Sequence, residues 1–336
     1  MGERLMLTRT LEISREPTHL SVENRQLLIT PQGEHPRGLP MRRRIPCEDI
    51  GVLIVDERDT TYTHSALVSL MNAGAAVVVC GRDHLPAGIM LPVSSHGEQL
   101  WRLDAQLSMR KPVGKRLWAQ IVKAKIRAQA VNLDHAPTVQ RRLLALARNV
   151  RSADAGGTEA TAARAYWSAL FRGADLPGVR FRRLPGDRAA PAPNNLLDYG
   201  YAVMRAALAR ALIGSGLFPA IGIQHSNRSN AFALADDLVE PLRPIVDAQV
   251  LRLVQERQFV LDRATKAELL VLLSTPVQIE DAVGPLQAAL PRYTASLVRC
   301  LTDEATELLI PVRAGMPPDV RSFAGGLDDP DEGRRA

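Results

Sequence analysis

"GEQLWRLDAQLSMRKPVGKRLWAQIVKAKIRAQAVNL", residues 97–133, is where the chain changes period. Leu100, Leu103, Leu107, Leu117, Ile121 and Ile126 recur at helical spacing rather than alternating. The residues on its N-terminal side read as short strands, and those on its C-terminal side read as helices. The expected class is therefore α+β. Residues 1–98 are read as a small, mostly-β N-terminal domain, 99–310 as a larger all-α C-terminal domain, and 311–336 as a flexible tail.

On the strand side, "THLSVENRQLLIT" reads as a hairpin turning at Glu23-Asn24-Arg25. "RRRIP", "IGVLIVD" and "GIMLPV" read as further strands. One helix interrupts them. Thr63 is its cap, Ala66, Leu67, Leu70 and Met71 form its stripe, and Gly74 is its stop, with a buried strand over Ala75–Cys80 after it. On the helical side, "PTVQRRLLALARNV", "TEATAARAYWSALF", "NNLLDYGYAVMRAALARALIGSG" and "EPLRPIVDAQVLRLVQERQF" all carry helical periodicity.

The chain has 336 residues, 46% of them apolar, so a sizeable core can be buried and a disordered chain is excluded. The net charge of +6 favours polyanionic partners. Segment 102–127 concentrates that charge, in Arg102, Arg110, Lys111, Lys115, Arg116, Lys123, Lys125 and Arg127. It reads either as a solvated helix face or as a phosphate-binding stripe. The three cysteines, Cys47, Cys80 and Cys300, have no CxxC spacing, which argues against a thiolate metal site and for a reducing cytoplasm. No apolar run reaches membrane-spanning length, so no membrane partner is expected.

Polar groups on apolar stretches mark a candidate site. Thr158 is the expected cap of a helix on which Glu159 shares the apolar face of Ala162, Ala163, Tyr166 and Leu170. A charge on a buried face is costly unless paired or metal-bound. His225 follows the apolar "LFPAIGIQ". Beyond it, Ser229 or Asn230 can cap a helix carrying Asp236, Asp237 and Glu240, the last followed at once by Pro241. That proline should bend the backbone at the carboxylates. An imidazole with two or three carboxylates suits Mg²⁺ or Mn²⁺ rather than zinc. On a basic protein this points to divalent-metal phosphoryl chemistry.

"GGTEATAARAYW", then "NNLLDYGYAVMRAALARALIGSGLFPAIGIQH", then "NAFALADDLVEPLRP", in that order, resemble the CRISPR-associated spacer-acquisition integrases, the Cas-one family. The context DLxEP is similar to its type II branch. The resemblance implies a catalytic metal site of Glu159, His225 and Glu240, with Asp237 adjoining, for Mg²⁺ or Mn²⁺. It implies a homodimer, contacts through the N-terminal domain, the small partner Cas-two and double-stranded DNA. The implied reaction is attack of a captured fragment's 3′-hydroxyl on a phosphodiester at the CRISPR leader–repeat. Arg164, Arg228, Lys115, Arg116 and Lys123 are the candidate DNA contacts. A standalone structure-specific nuclease and a catalytically silent DNA-binding scaffold are the alternatives.

Overall fold

The computed structural model describes residues 9–14, 16–32, 42–82, 86–93, 99–174, 176, 181–187 and 190–316. The N-terminal part is built of β1 (Arg9–Ile13), β2 (Thr18–Glu23), β3 (Gln26–Pro31), β4 (Arg43–Pro46), β5 (Ile50–Val55), β6 (Thr61–Tyr62), α1 (His64–Asn72), β7 (Ala76–Cys80) and β8 (Pro86–Met90). The hairpin β2–β3 turns through Asn24 and Arg25, both at positive φ (50° and 60°), the geometry that matches the twist of its strands. Thr63 caps α1, its hydroxyl accepting from Ala66 N at 3.1 Å, and Gly74 (φ 75°) ends it.

Two four-stranded sheets result, ordered β4-β3-β2-β6 and β1-β5-β7-β8. In the second, β1, β5 and β7 run parallel and β8 antiparallel. Strand β5, "IGVLIV", is buried at every residue. From Val52 onward its alternation explains why, and an irregularity at Gly51 turns Ile50 to the other side. Val52 and Ile54 belong to the core formed with the helices, while Ile50, Leu53 and Val55 belong to the core formed with β2, β3 and α1. A parallel sheet covered on both faces needs such an uninterrupted apolar run.

The C-terminal part contains α2 (Gln99–Leu107), α3 (Lys111–Val131), α4 (Pro137–Arg148), α5 (Thr158–Leu170), α6 (Asn194–Gly214), α7 (Ala233–Val239), α8 (Arg243–Gln255), α9 (Arg263–Leu270) and α10 (Leu286–Leu301). It is helical but not all-α. Strands β9 (Pro276–Ile279), β10 (Ala282–Pro285) and β11 (Val312–Arg313) form a three-stranded sheet ordered β10-β9-β11. The hairpin turns at Glu280 (φ 52°), and four-residue strands are too short for a periodic signal to survive among long helices. The sheet also takes in the start of the expected tail. Met316 is buried, and residues 317–336 lie outside the described residues.

Helix α2 departs from its sequence reading. Leu100 and Leu107 are exposed, as is Trp101, whereas Leu117, Ile121 and Ile126 of α3 are fully buried. Polar straps hold α2 instead. Arg102 donates to Ser215 O at 2.9 Å, and Gln106 donates to Phe218 O and Ile221 O at 2.9 and 2.8 Å. No helix among the described residues is long and apolar enough to cross a membrane.

Candidate metal centre

Glu159 lies in the first turn of α5, whose Ala162, Tyr166 and Leu170 are buried. The cap is not Thr158, which is the first helical residue. A 3-10 turn, Ser152–Asp154, folds back so that the Asp154 carboxylate accepts from Thr158 N at 2.9 Å and Glu159 N at 3.0 Å. The carboxylate thereby satisfies the free amides of the helix start and fixes the first turn from which Glu159 projects.

His225 is held from behind by Asp237. This fully buried carboxylate accepts backbone N–H bonds from Ile223 (2.5 Å), Gln224 (3.0 Å) and His225 (3.1 Å). It also receives the His225 ring at 2.6 Å through Nδ1. Facing a carboxylate, Nδ1 carries the proton in the neutral ring, so Nε2 holds the lone pair and is the nitrogen free to act as a ligand. Asp237 is thus the orienting partner of the histidine, with its oxygens already used. Gly222 makes the tight loop possible. A Cβ there would stand 2.3 Å from His225 O and 2.9 Å from Asp237 Oδ2. The hydrogen bond to Asp237 raises the His225 pKa, against the opposing effect of burial, and the nearby Glu240 adds to the rise.

The cap of α7 also differs from expectation. No side chain caps the helix directly. Asn230 accepts from Phe232 N at 2.9 Å just ahead of it and donates to Asp236 at 2.7 Å. Asp236 in turn receives Arg205 Nε at 2.7 Å, so its charge is committed to fixing this loop. Glu240 does not leave helical geometry before Pro241 (φ −51°, ψ −48°). The proline's effect appears as a 3-10 turn, Glu240–Leu242, that joins α7 to α8.

Glu159 and Glu240 meet on one atom. Lys125 Nζ, from the middle of α3, lies 2.5 Å from Glu159 Oε1 and 2.5 Å from Glu240 Oε2. The first contact is a hydrogen bond, whereas the second is an ion pair outside hydrogen-bonding direction, which leaves the buried Glu240 Oε2 without a hydrogen-bond partner. Arg243 Nε lies 3.0 Å from Glu240 Oε1. Burial pushes the Glu240 carboxyl up, but Arg243 and Lys125 together bring it below its ordinary value. Glu240 is therefore an anion despite being buried. Among the described residues no three His, Cys, Asp or Glu side chains stand close enough to hold a metal ion. Two carboxylates nevertheless converge on a cation, an oriented imidazole lies within electrostatic reach of one of them, and one buried carboxylate oxygen has only a non-directional partner. Such an O,O,N donor set fits Mg²⁺ or Mn²⁺.

Beneath these groups is a buried polar layer that sequence reading did not reveal. Asp247 of α8 accepts from Tyr166 Oη of α5 at 2.9 Å and from Tyr201 Oη of α6. Asn132 donates to Tyr166 Oη and to Pro244 O at 3.1 and 2.7 Å. The Arg243 guanidinium stacks 4.7 Å above the Tyr201 ring. Through Tyr166 and Arg243 this layer ties the elements carrying Glu159 and Glu240 to each other. Burial pushes the Asp247 carboxyl up to about 6, although both tyrosines pull it down. The unfolded value is about 3.9, so between about pH 4 and 6 the folded chain binds more protons. Asp247 therefore costs stability as pH rises through that window. Relative to Asp247→Asn, the wild type should lose on the order of 2 kcal/mol between pH 4 and 7. Urea unfolding of both proteins at the two pH values measures this, and parallel pH profiles would count against a raised Asp247.

The candidate DNA contacts are scattered. Lys115, Arg164 and Arg228 are exposed and Arg116 and Lys123 half-buried. Lys123 sits beside Arg127, and burial together with that neighbour lowers its pKa. Trp118 of α3 meets the His225 ring edge-on at 6.0 Å between centroids, so the basic helix and the histidine loop are in contact.

A family model described as "CRISPR associated protein Cas1" matches residues 11–278. The CRISPR-associated endonuclease Cas1 of Neisseria meningitidis serogroup C (strain 8013) is 37% identical over 297 residues, covering 87% of this chain and 92% of that protein. A Cas1 endonuclease of Pyrobaculum aerophilum is 28% identical, covering 77% of this chain and 90% of that protein. Among solved structures, a casposase bound to integration product superposes with a TM-score of 0.74 at 20% identity, covering 90% of this chain and 92% of that one. A Cas6-RT-Cas1–Cas2 complex gives 0.71 at 17% identity, covering 93% of this chain and 37% of that one. Both likenesses are likenesses of fold. The family match over most of the described chain, with the identity to the Neisseria protein, shows that this chain belongs to the Cas1 family of CRISPR-associated proteins.

Proposed function

We propose that the protein is a divalent-metal-dependent integrase that inserts short captured DNA into a CRISPR array by 3′-hydroxyl attack on a phosphodiester. The observation that carries this reading is the meeting of Glu159 and Glu240 on one cationic point, with the Asp237-oriented His225 within electrostatic reach of Glu240. When bound, the metal supplies Lewis acidity to the scissile phosphate and lowers the pKa of the attacking hydroxyl. Glu159 and Glu240 provide the negative charge that holds it, and His225 provides a nitrogen of fixed tautomer. Lys115, Arg116, Lys123, Arg164 and Arg228 offer cationic groups for DNA phosphates, which position the duplex without reading its bases. The similar structures with Cas2 support a complex with that small protein, and a homodimer working in the cytoplasm completes the reading. The DLxEP context and the Neisseria relative support the type II-like branch.

The test is strand transfer of a labelled duplex into a repeat-bearing plasmid, with and without Cas2. Joined product should require Mg²⁺ or Mn²⁺ and a free 3′-hydroxyl. Cleavage without joining, unaffected by a 3′-deoxy end, would instead identify a structure-specific nuclease. Binding without either activity would identify a silent scaffold.

A further inference from the structure

Lys125 is flanked on α3 by Ala124 and Ile126, which are 5% and 0% exposed, so its backbone is fixed in the core. Its side chain is 12% exposed and ends between the two carboxylates. A Mg²⁺ or Mn²⁺ ion held by the same oxygens would lie about 2.0–2.2 Å from each. The ammonium, at 2.5 Å from each, stands at that same place. Two cations cannot share it.

We propose that Lys125 is an exchangeable internal counter-ion: its ammonium holds Glu159 and Glu240 together and is the group a divalent cation must displace, so it sets the metal affinity of the centre. The inference rests on the metal-dependent reading of the site and names the residue that controls it. Two observations support exchange over a permanent ion pair. The contact with Glu240 Oε2 is made off the best hydrogen-bonding direction, so that side of the lysine is held less directionally than the Glu159 side. Charge also balances with the lysine in place. Glu159 and Glu240 bring two negative charges, and Lys125 and Arg243 bring two positive charges. A divalent ion attracts the carboxylates twice as strongly as the ammonium at equal distance. With the backbone anchored, exchange needs only rotation about the four side-chain bonds of the lysine. The displaced ammonium then stays at the rim, where a cation can meet an incoming phosphodiester. The side chain keeps a small exposed fraction through which it can leave.

The experiment uses the intact chain and an amine-acylating reagent, with labelling read at each lysine by mass spectrometry. Adding MnCl₂ should raise Lys125 labelling several-fold and leave Lys111 and Lys115 unchanged. In parallel, Mn²⁺ binding is followed by the electron-spin resonance of the free ion. Lys125→Met removes the competitor and should tighten Mn²⁺ binding by about tenfold or more. Lys125→Arg places a fork that grips carboxylates more firmly, and should weaken it. Lys125 labelling unchanged or suppressed by Mn²⁺ would overturn the proposal whether or not the variants fold, as would a Lys125→Met protein with wild-type Mn²⁺ affinity. If neither wild type nor Lys125→Met binds Mn²⁺, the metal reading itself falls, and Lys125 is a structural ion pair.

Discussion

Replacing His225 with alanine is expected to lower strand transfer by more than about a hundredfold, since loss of even a ligand's supporting partner costs 10–100-fold. DNA binding should change little. The substitution removes one neutral-capable ring and no cationic phosphate contact, and affinity for duplex DNA comes mainly from the latter. The ring is also the group that links activity to pH. Its pKa is raised, first by the hydrogen bond with Asp237. An imidazolium has no lone pair for a metal, so activity should fall as pH falls through that raised value. In stability the sign is opposite: the His225–Asp237 pair contributes most below the unfolded value of about 6.5, and the contribution is lost as pH rises through the folded value. Strand-transfer rates and gel shifts on the same preparations, from pH 5.5 to 8.5, measure both. Parallel loss of binding and transfer in His225→Ala would show that the histidine supports the DNA surface rather than the chemistry.

Asp237→Ala is expected to be the most damaging single change for the fold of the site. It strips the acceptor from three backbone amides, those of Ile223, Gln224 and His225, and from the His225 ring. A donor left unpaired in a buried setting costs about 1–3 kcal/mol, and here Ile223 is half-buried while Gln224 and His225 are exposed, so only part of that applies to each. Relaxation and water entry return part of this, so a loss of about 3–5 kcal/mol is expected. Asp237→Asn should not rescue it. The amide keeps one acceptor oxygen but turns an NH₂ group toward donors. Denaturant unfolding of the two variants checks the magnitude. A loss below about 1 kcal/mol would mean that the loop finds other partners and that Asp237 is not its anchor.

The legible parts of the sequence share a property: a short stretch determined its own geometry. Asn24 and Arg25 tolerate positive φ, Thr63 presents a hydroxyl at a helix start, and β5 has no polar residue to expose. Glu159 and Glu240 were found because each is a charge among apolar neighbours. Lys125 carries the same signal. It continues the four-residue step of Leu117 and Ile121, the buried face of α3, but seven other basic residues nearby mask it. Other features depended on distant partners. Asp154 caps α5 only because a left-handed pair, Ala153 and Asp154, turns the chain back (φ 56° and 52°). Asp247 joins Tyr201 and Tyr166, 46 and 81 residues away, and nothing local marks any of the three. The apolar face of α2 misled for the converse reason: its anchors are the polar Arg102 and Gln106, and Leu100 and Leu107 face outward.

The two parts of the chain are also joined by buried charge. Lys266 of α9 donates to Asp56, at the end of β5, and both side chains are almost wholly enclosed (4% and 3% exposed). Tyr199 of α6 reaches Glu12 of β1 at 3.4 Å, and Arg210 of the same helix donates to Gly74 O. Asp56 is 210 residues ahead of its partner. At about 5–20 residues per second, roughly 10–40 s of synthesis separate the two on the ribosome. For that time the emerging β5 carries a carboxylate beside a strand face made to be covered by helices not yet translated. The strands can pair with one another early, but the seam between them and the helices closes only after α9 has left the exit tunnel. The order of events in this protein's birth is thus written into one lysine.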